Sequence, residues 1–276
     1  MENQVTTQQQ TKSLSELMHS PAVVGKLNEV WNNKQMANSF ISSVISVANG
    51  NPQLRKAEPM SIIGAAMVAS TMQLQVIPTL GQCYIIPYGS KAQFQVGYLG
   101  LLQLCQRSGQ FKKILAAPVH EGEYISGDEF DEDYIFDRTK RKSDKIIGYM
   151  AKFELLNGFT KVAYWDIDKV KAHATKFSQA FRAGYNSPWK SDFDAMAQKT
   201  VLKSILKFAP KSIEMQNAVA FDQAVVNTNT SDVQDLDIDA FAPEYVDNIE
   251  SEKRENFAEK AAEAAKANVA KKEDKK

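Results

Sequence analysis

Two strand-like runs joined by a tight turn set the strongest limit on what this chain can fold into. Residues 146–155 and 160–165 are rich in apolar, β-branched and aromatic side chains, and Asn157-Gly158 lies between them. Asn-Gly is a preferred pair at the centre of a two-residue hairpin turn. The pattern therefore predicts an antiparallel hairpin and excludes an all-helical chain.

Helical patterns flank these strands. Ser20-Pro21 is typical of a helix start, because serine caps the end and proline suits the first helical position. The helix that begins there is predicted over about 21–31, and others over about 36–48, 59–73, 99–107, 167–176 and 189–208. Further strands are predicted at 82–87, 91–96 and 112–119. The sequence predicts an α+β fold, with an antiparallel sheet flanked by helices.

Charge is divided unevenly along the chain. Residues 212–276 hold 8 Lys/Arg and 15 Asp/Glu, and residues 1–211 hold the other 25 Lys/Arg and 18 Asp/Glu. A basic body suits a polyanionic partner, although charge scattered over a solvated surface explains the same counts. We expect a disordered N-terminus over 1–19, a folded basic core over 20–225, and an acidic, disordered tail over 226–276.

Several function classes lack their sequence signatures. No Gly-x4-Gly-Lys-Ser/Thr loop is present, and His19, His120 and His173 are too far apart for a local metal motif. Cys83 and Cys105 lie among apolar residues, which indicates core thiols in a reducing cytosol. No run approaches the roughly 18 apolar residues that span a bilayer. These features predict a cytoplasmic protein with no catalytic site.

One acidic cluster leaves an enzymatic alternative open. It comprises Glu121, Glu123, Asp128, Glu129, Asp131, Glu132 and Asp133. Carboxylates can hold Mg²⁺ in a nuclease. The cluster lies in a loop-like stretch without apolar support, however, so a solvated acidic loop is the preferred interpretation.

Three features indicate a nucleic-acid surface. The first is the strand 91–96, in which Lys91, Gln93 and Gln95 alternate with apolar residues. Side chains alternate across a strand, so one face carries a cation and two amides. This face suits phosphates and base edges, with an ordinary solvent face as the alternative.

The second feature is a lysine ridge on the helix 189–208. Lys199, Lys203 and Lys207 follow one another at intervals of four, a stripe that drifts only roughly 80° around the helix. Like charges at this spacing repel, and no acidic residue lies four positions before Lys203 or Lys207. A polyanion partner is therefore a reason for the ridge.

The third feature is a basic and aromatic stretch over 176–190. Cations interleaved with rings suit a single strand, because its phosphates and bases are both accessible. Burial of the rings is the alternative. The residues concerned are Lys176, Phe177, Phe181, Arg182, Tyr185, Trp189 and Lys190.

Two blocks of this sequence resemble the RecT family of phage and prophage recombinases. They are YIIPYGSKAQFQVGYLG at 84–100 and WKSDFDAMAQKTVLK at 189–203. The resemblance extends over roughly 20–215. It implies ATP-independent annealing of single-stranded DNA in homologous recombination, by a non-catalytic protein that forms rings or helical filaments. It also implies a phage exonuclease and the host single-strand-binding protein as partners.

With this resemblance, the candidate residues form a basic groove for single-stranded and annealed duplex DNA. Lys91, Gln93, Gln95 and Tyr98 are expected on one wall and Lys199, Lys203 and Lys207 on another, with Lys112 and Lys113 nearby and Trp189 or Tyr185 wedged between bases. No cofactor or membrane partner is expected. Mg²⁺ would either screen phosphates or compete with the lysines. A nuclease based on 121–133 and a phage structural oligomer remain the alternatives.

Overall fold

The computed structural model describes residues 12–185 and 187–244. The fold is α+β, as the sequence predicts. The helices within these ranges are α1 Leu14–Met18, α2 Pro21–Trp31, α3 Lys34–Gly50, α4 Pro59–Thr71, α5 Tyr98–Arg107, α6 Ile167–Phe177, α7 Gln179–Arg182, α8 Pro188–Ser191, α9 Phe193–Leu206 and α10 Ile213–Ala220. The strands are β1 Cys83–Tyr88, β2 Lys91–Val96, β3 Phe111–His120, β4 Tyr124–Ser126, β5 Ile135–Phe136, β6 Ile146–Leu155, β7 Thr160–Asp166, β8 Ala224–Asn227 and β9 Ala242–Glu244.

The first sheet has four strands in the order β1-β2-β8-β9, and each neighbouring pair is antiparallel. Helix α4 is buried along most of its length and packs against β1, β2 and β8. Ser61 on α4 accepts the backbone N–H of Ala92 at 2.8 Å. The buried residues Ala92 and Phe94 therefore belong to the helix-covered face, and the period-two pattern of β2 is confirmed.

The second sheet has the order β3-β6-β7 and contains the hairpin that the sequence predicts. Strands β6 and β7 are antiparallel, with Glu154 opposite Thr160. Gly158 has a φ of +89°, which its missing Cβ permits in the turn. Helices α6 and α9 pack against this sheet. The Tyr149 hydroxyl on β6 donates a hydrogen bond to the Asp194 carboxylate on α9.

The helix predicted over 189–208 is two helices in the structure. The break falls at Asp192, whose side chain accepts the backbone N–H of Ala195 at 3.1 Å and so begins α9. Asp192 itself has a non-helical backbone, with a φ of −147° and a ψ of 74°. The sequence signal for this break is the capping aspartate. It lies inside an apparently continuous apolar pattern, so the periodicity alone does not show it.

Secondary structure extends beyond residues 20–225 at both ends of the described chain. Helix α1 begins at a capping box formed by Ser13 and Glu16, and it buries Met18. Residues 226–244 pack against the core, because β8 inserts between β2 and β9 and the segment buries Val233, Leu236 and Phe241. The rest of the expected disordered ends, 1–11 and 245–276, lies outside the described residues.

A glycine allows this late strand to approach α4. A Cβ on Gly64 would lie 2.9 Å from Thr228 Cγ2 and 3.1 Å from Val226 Cβ, closer than real Cβ contacts tolerate. The missing side chain of one helical residue thus makes room for the segment that follows β8. Within the described ranges, no helix combines the length and the apolarity needed to cross a bilayer.

Leu236 tests whether the segment 226–244 is part of the core. Leu236 is 3% exposed, and Leu156, a leucine in the β6–β7 turn, is 69% exposed. Leu236→Ala should lower the free energy of unfolding by about 2–4 kcal/mol, because it removes buried methyl groups and leaves a cavity. Leu156→Ala is the matched control and should change it by less than about 0.5 kcal/mol. Equal effects in guanidinium unfolding would contradict the packing.

Candidate nucleic-acid interface

A cleft of about 630 Å³ separates the β1–β2 hairpin from the helices α6, α8 and α9. We call it the first cleft. Gln93 and Gln95 line its sheet side, and Met196, Thr200 and Lys203 line its α9 side. Gln95 is buried and donates from Nε2 to the Met196 sulfur at 3.4 Å. The face of β2 that does not meet α4 therefore forms one wall of the first cleft.

A second cleft, of about 1550 Å³, adjoins the first. It lies between α3, the segment that follows α3, β1 and the start of α9. Both clefts share a set of lining residues: Ile86, Pro87, Gln95, Ser187, Pro188 and Met196. Because these residues line both clefts, the two clefts lie side by side.

A buried charge cluster forms part of the wall of the first cleft. Asp222, which precedes β8, accepts hydrogen bonds from Lys199 Nζ at 2.7 Å and from Lys203 Nζ at 2.5 Å. It also accepts the backbone N–H of Val96 at 3.2 Å. The Lys199 side chain is 4% exposed and that of Lys203 is 33% exposed. One carboxylate therefore joins α9 to β2 through two ammonium groups and one backbone amide.

Burial and charge act against each other in this cluster. Burial lowers the pKa of Lys199 and the Lys203 charge acts in the same direction, while the Asp222 carboxylate opposes both. Burial alone would raise the pKa of Asp222, but the two ammonium charges outweigh it and hold that pKa below its ordinary value. Asp222 is thus a carboxylate at neutral pH. The partly exposed Lys203 brings a positive charge to the surface of this wall.

An unpaired hydroxyl lies in the same wall. Ser187 is buried and lines both clefts, and its Oγ has no hydrogen-bond partner among the described residues. Buried polar atoms usually have a partner, which a ligand or water can supply. The wall therefore combines the partly exposed Lys203 ammonium with a buried hydroxyl that has no partner among the described residues.

The structure places some of the site residues predicted from the sequence in these two clefts. Gln93, Gln95, Trp189, Lys199 and Lys203 line the first cleft, and Tyr185 and Gln95 line the second. The others line neither cleft: they are Lys91, Tyr98, Lys112, Lys113, Lys176, Arg182, Lys190 and Lys207. Lys112 pairs with Glu154 at 2.6 Å, Lys91 with Glu244 at 3.5 Å, and Lys190 Nζ donates to the Gly184 carbonyl.

The expectation of an unpaired, exposed lysine ridge on α9 was wrong. Lys199 is buried, and Lys199 and Lys203 both pair with Asp222. Lys207 lies after the end of α9, where its ammonium is 4.9 Å from the centroid of the Phe208 ring. The error has a simple cause, since an i−4 search cannot find an acid that follows Lys199 by 23 residues.

The aromatic residues are also distributed differently from the expectation. Trp189 is only 5% exposed, and its ring lies 5.5 Å from that of Phe193 and 6.2 Å from that of Phe181. In this position it packs in the core and does not project as a wedge. Phe177, which the sequence analysis placed in the basic and aromatic stretch but not in the predicted groove, is 63% exposed and lines the first cleft. The sequence signal that could have indicated the exposure of Phe177 was its position at the end of α6, where a helix face turns to solvent.

The acidic cluster at 121–133 belongs to the segment around the β4–β5 hairpin, where its carboxylates have separate partners. Glu129 pairs with Lys169 at 2.8 Å and Glu132 pairs with Lys161. Glu123 contacts His120, and Glu121 accepts the Ser143 hydroxyl. Over the described part of the chain, no group of three or more His, Cys, Asp or Glu side chains is arranged to hold a metal ion.

Comparison with known proteins decides the family. The sequence model of the RecT family matches residues 38–235, a span that contains every residue lining the two clefts. The chain belongs to the RecT family. It is similar to an uncharacterized protein of Bacillus subtilis, YqaK, with 41% identity over 94% of this chain and 87% of that protein. It is also similar to the RecT protein of Escherichia coli, with 28% identity over 62% of this chain and 66% of that protein. Membership of the RecT family supports a single-strand annealing role in recombination.

Asp222→Asn tests the buried cluster. The substitution leaves Lys199 buried without its counter-charge, so we expect a loss of about 3–5 kcal/mol in the free energy of unfolding. Asp239→Asn, at an exposed aspartate, is the control and should have almost no effect. Adding Lys199→Met to Asp222→Asn should recover part of the loss, because it removes the orphaned charge. Guanidinium unfolding measures all three, and a loss no larger than the control's would refute the charge cluster.

Proposed function

We propose that this RecT-family chain anneals complementary single strands of DNA without ATP, with the phosphates of one strand bound in the first cleft. The observation that carries the proposal is the partly exposed Lys203 ammonium in the wall of that cleft, beside the buried Lys199–Asp222 pair. Lys203 is partly exposed, so the N–H groups of its ammonium that do not bond Asp222 can reach a phosphate.

Annealing changes no covalent bond. It requires only that the phosphate charge of the strands is neutralised and that the strands are positioned for pairing. Two strands repel through their phosphates, and ammonium groups that neutralise one backbone lower that repulsion while releasing counterions. The second cleft adjoins the first and gives room beside the bound strand. In this proposal the second strand enters there and pairs with bases that remain accessible.

Assembly and partners belong to the same proposal. RecT-family membership supports DNA binding and oligomerisation. We propose a homo-oligomer, a ring or a helical filament, whose clefts follow one another along the strand. A phage exonuclease and the host single-strand-binding protein remain predicted partners. The effect of Mg²⁺, by screening or by competition, remains a prediction to be measured.

Lys203→Gln tests the phosphate site. The variant should bind a fluorescent oligothymidylate about tenfold more weakly, because it loses one charge-assisted contact. The slope of log affinity against log salt should fall by about 0.7, the value for one phosphate of a single strand. Lys34→Gln, at an exposed lysine on α3 that lines neither cleft, should leave both quantities unchanged.

Annealing itself is measured with two complementary oligonucleotides that carry a donor and an acceptor dye. The wild-type chain should speed pairing with no nucleotide present, and Lys203→Gln should slow it at protein concentrations that saturate the wild type. Melting curves establish that the variant is folded. No acceleration by the wild-type chain would refute annealing, and equal binding by both lysine variants would refute the cleft as the phosphate site.

His173 predicts a pH dependence of binding. It lines the first cleft, and its pKa is lowered by burial and by the charges of Lys203 and Lys176. Bound phosphates would counter those charges and raise the pKa of His173, so the complex takes up a proton. Affinity should therefore rise as the pH falls from about 7.5 to about 5.5, by at most about tenfold per unit. His173→Gln should remove this dependence; if the variant keeps it, another group is responsible.

A further inference from the structure

Phe177 places an open aromatic ring at the mouth of the first cleft. It is the last residue of α6, and 63% of the residue is exposed. Among the described aromatic residues of that cleft, Trp189 is buried, and Tyr88, Trp165 and His173 are only partly exposed. Phe177 is thus the lining ring with most of its surface open to a ligand.

Two neighbouring aromatic rings support the Phe177 ring. The His173 ring lies one turn earlier on α6, with its centroid 4.5 Å from that of Phe177. Trp165 on β7 supports His173 in turn, at a centroid distance of 5.4 Å. A ring fixed in this way loses little conformational freedom when a flat ligand stacks on it. An exposed phenylalanine is otherwise unfavourable, since its apolar surface remains in water.

Positive charge lies beside the ring. The Lys176 ammonium lies 5.2 Å from the Phe177 ring centroid, and because Lys176 is exposed its long stem can swing away. Lys203 lies in the same cleft. A nucleotide presents a flat base and a phosphate together, so a ring beside ammonium groups matches both of its parts.

We infer that Phe177 is a stacking platform for one unpaired base of the strand whose phosphates occupy the first cleft. The inference rests on the proposed function and adds to it the residue that holds a base. Every base has a π face, so the platform tolerates any sequence. A base inside a duplex is already stacked on both sides, and the platform therefore favours a single strand over a duplex at this position.

Phe177→Ala is tested against two oligonucleotides of equal length and charge, one oligothymidylate and one in which every nucleotide is abasic. The variant should bind the oligothymidylate about tenfold more weakly than the wild type, because one base loses its platform. The abasic strand offers no base, so wild type and variant should bind it equally. Phe177→Trp should restore binding to the oligothymidylate. Phe130→Ala, at a 98% exposed phenylalanine in the acidic loop between β4 and β5, is the matched control and should bind both strands like the wild type.

The outcomes separate this inference from the proposed function. If Phe177→Ala binds the oligothymidylate as tightly as the wild type while Lys203→Gln binds it weakly, the platform is refuted and the phosphate site stands. An equal loss on the abasic strand also refutes the platform, because the effect then does not involve a base. If the wild-type chain binds neither strand, the proposed function and the platform are both overturned. Because the residue is exposed, Phe177→Ala should melt like the wild type.

Discussion

The contact between Asp222 and its two lysines joins parts of the molecule that otherwise have separate tasks. Lys199 and Lys203 lie on α9, which packs on the three-stranded sheet, and the Val96 amide belongs to the four-stranded sheet. A buried lysine requires a counter-charge, and one carboxylate supplies it. The same carboxylate fixes the distance between the two cleft walls. Stability and the electrostatic character of the groove thus depend on one group.

Much of the fold follows from local sequence patterns. The hairpin around Asn157-Gly158, the capped helix α2 and the alternation of β2 are each specified by residues close in sequence. The strand β8 could not be predicted in this way. It has four residues, precedes a stretch rich in Asn, Thr and Asp, and is stabilised by pairing with Gln93 and Phe94 far earlier in the chain. Long-range packing overrides local composition at such positions.

The candidate site was predicted less completely, for a related reason. Periodicity identified Gln93, Gln95 and Lys203, because a strand face and a helix face are local properties. It could not assign Lys199 to the interior, since burial of a lysine depends on an acid from another element. The sequence could not predict which individual rings are exposed either. Trp189 and Phe177 lie in the same basic and aromatic stretch, and only their packing distinguishes the buried ring from the exposed one.

The late position of β8 and β9 has a consequence for the order of folding. Asp222 and the strands that follow it are synthesised after nearly all of the other described elements, and the Lys91–Glu244 pair joins residues 153 positions apart. Contacts of such separation form slowly, because a long loop must close before they contribute. On the ribosome, the helix bearing Lys199 emerges before its counter-charge. Until Asp222 follows, both lysines lack the carboxylate that pairs them, and the two walls of the first cleft are not yet joined through it.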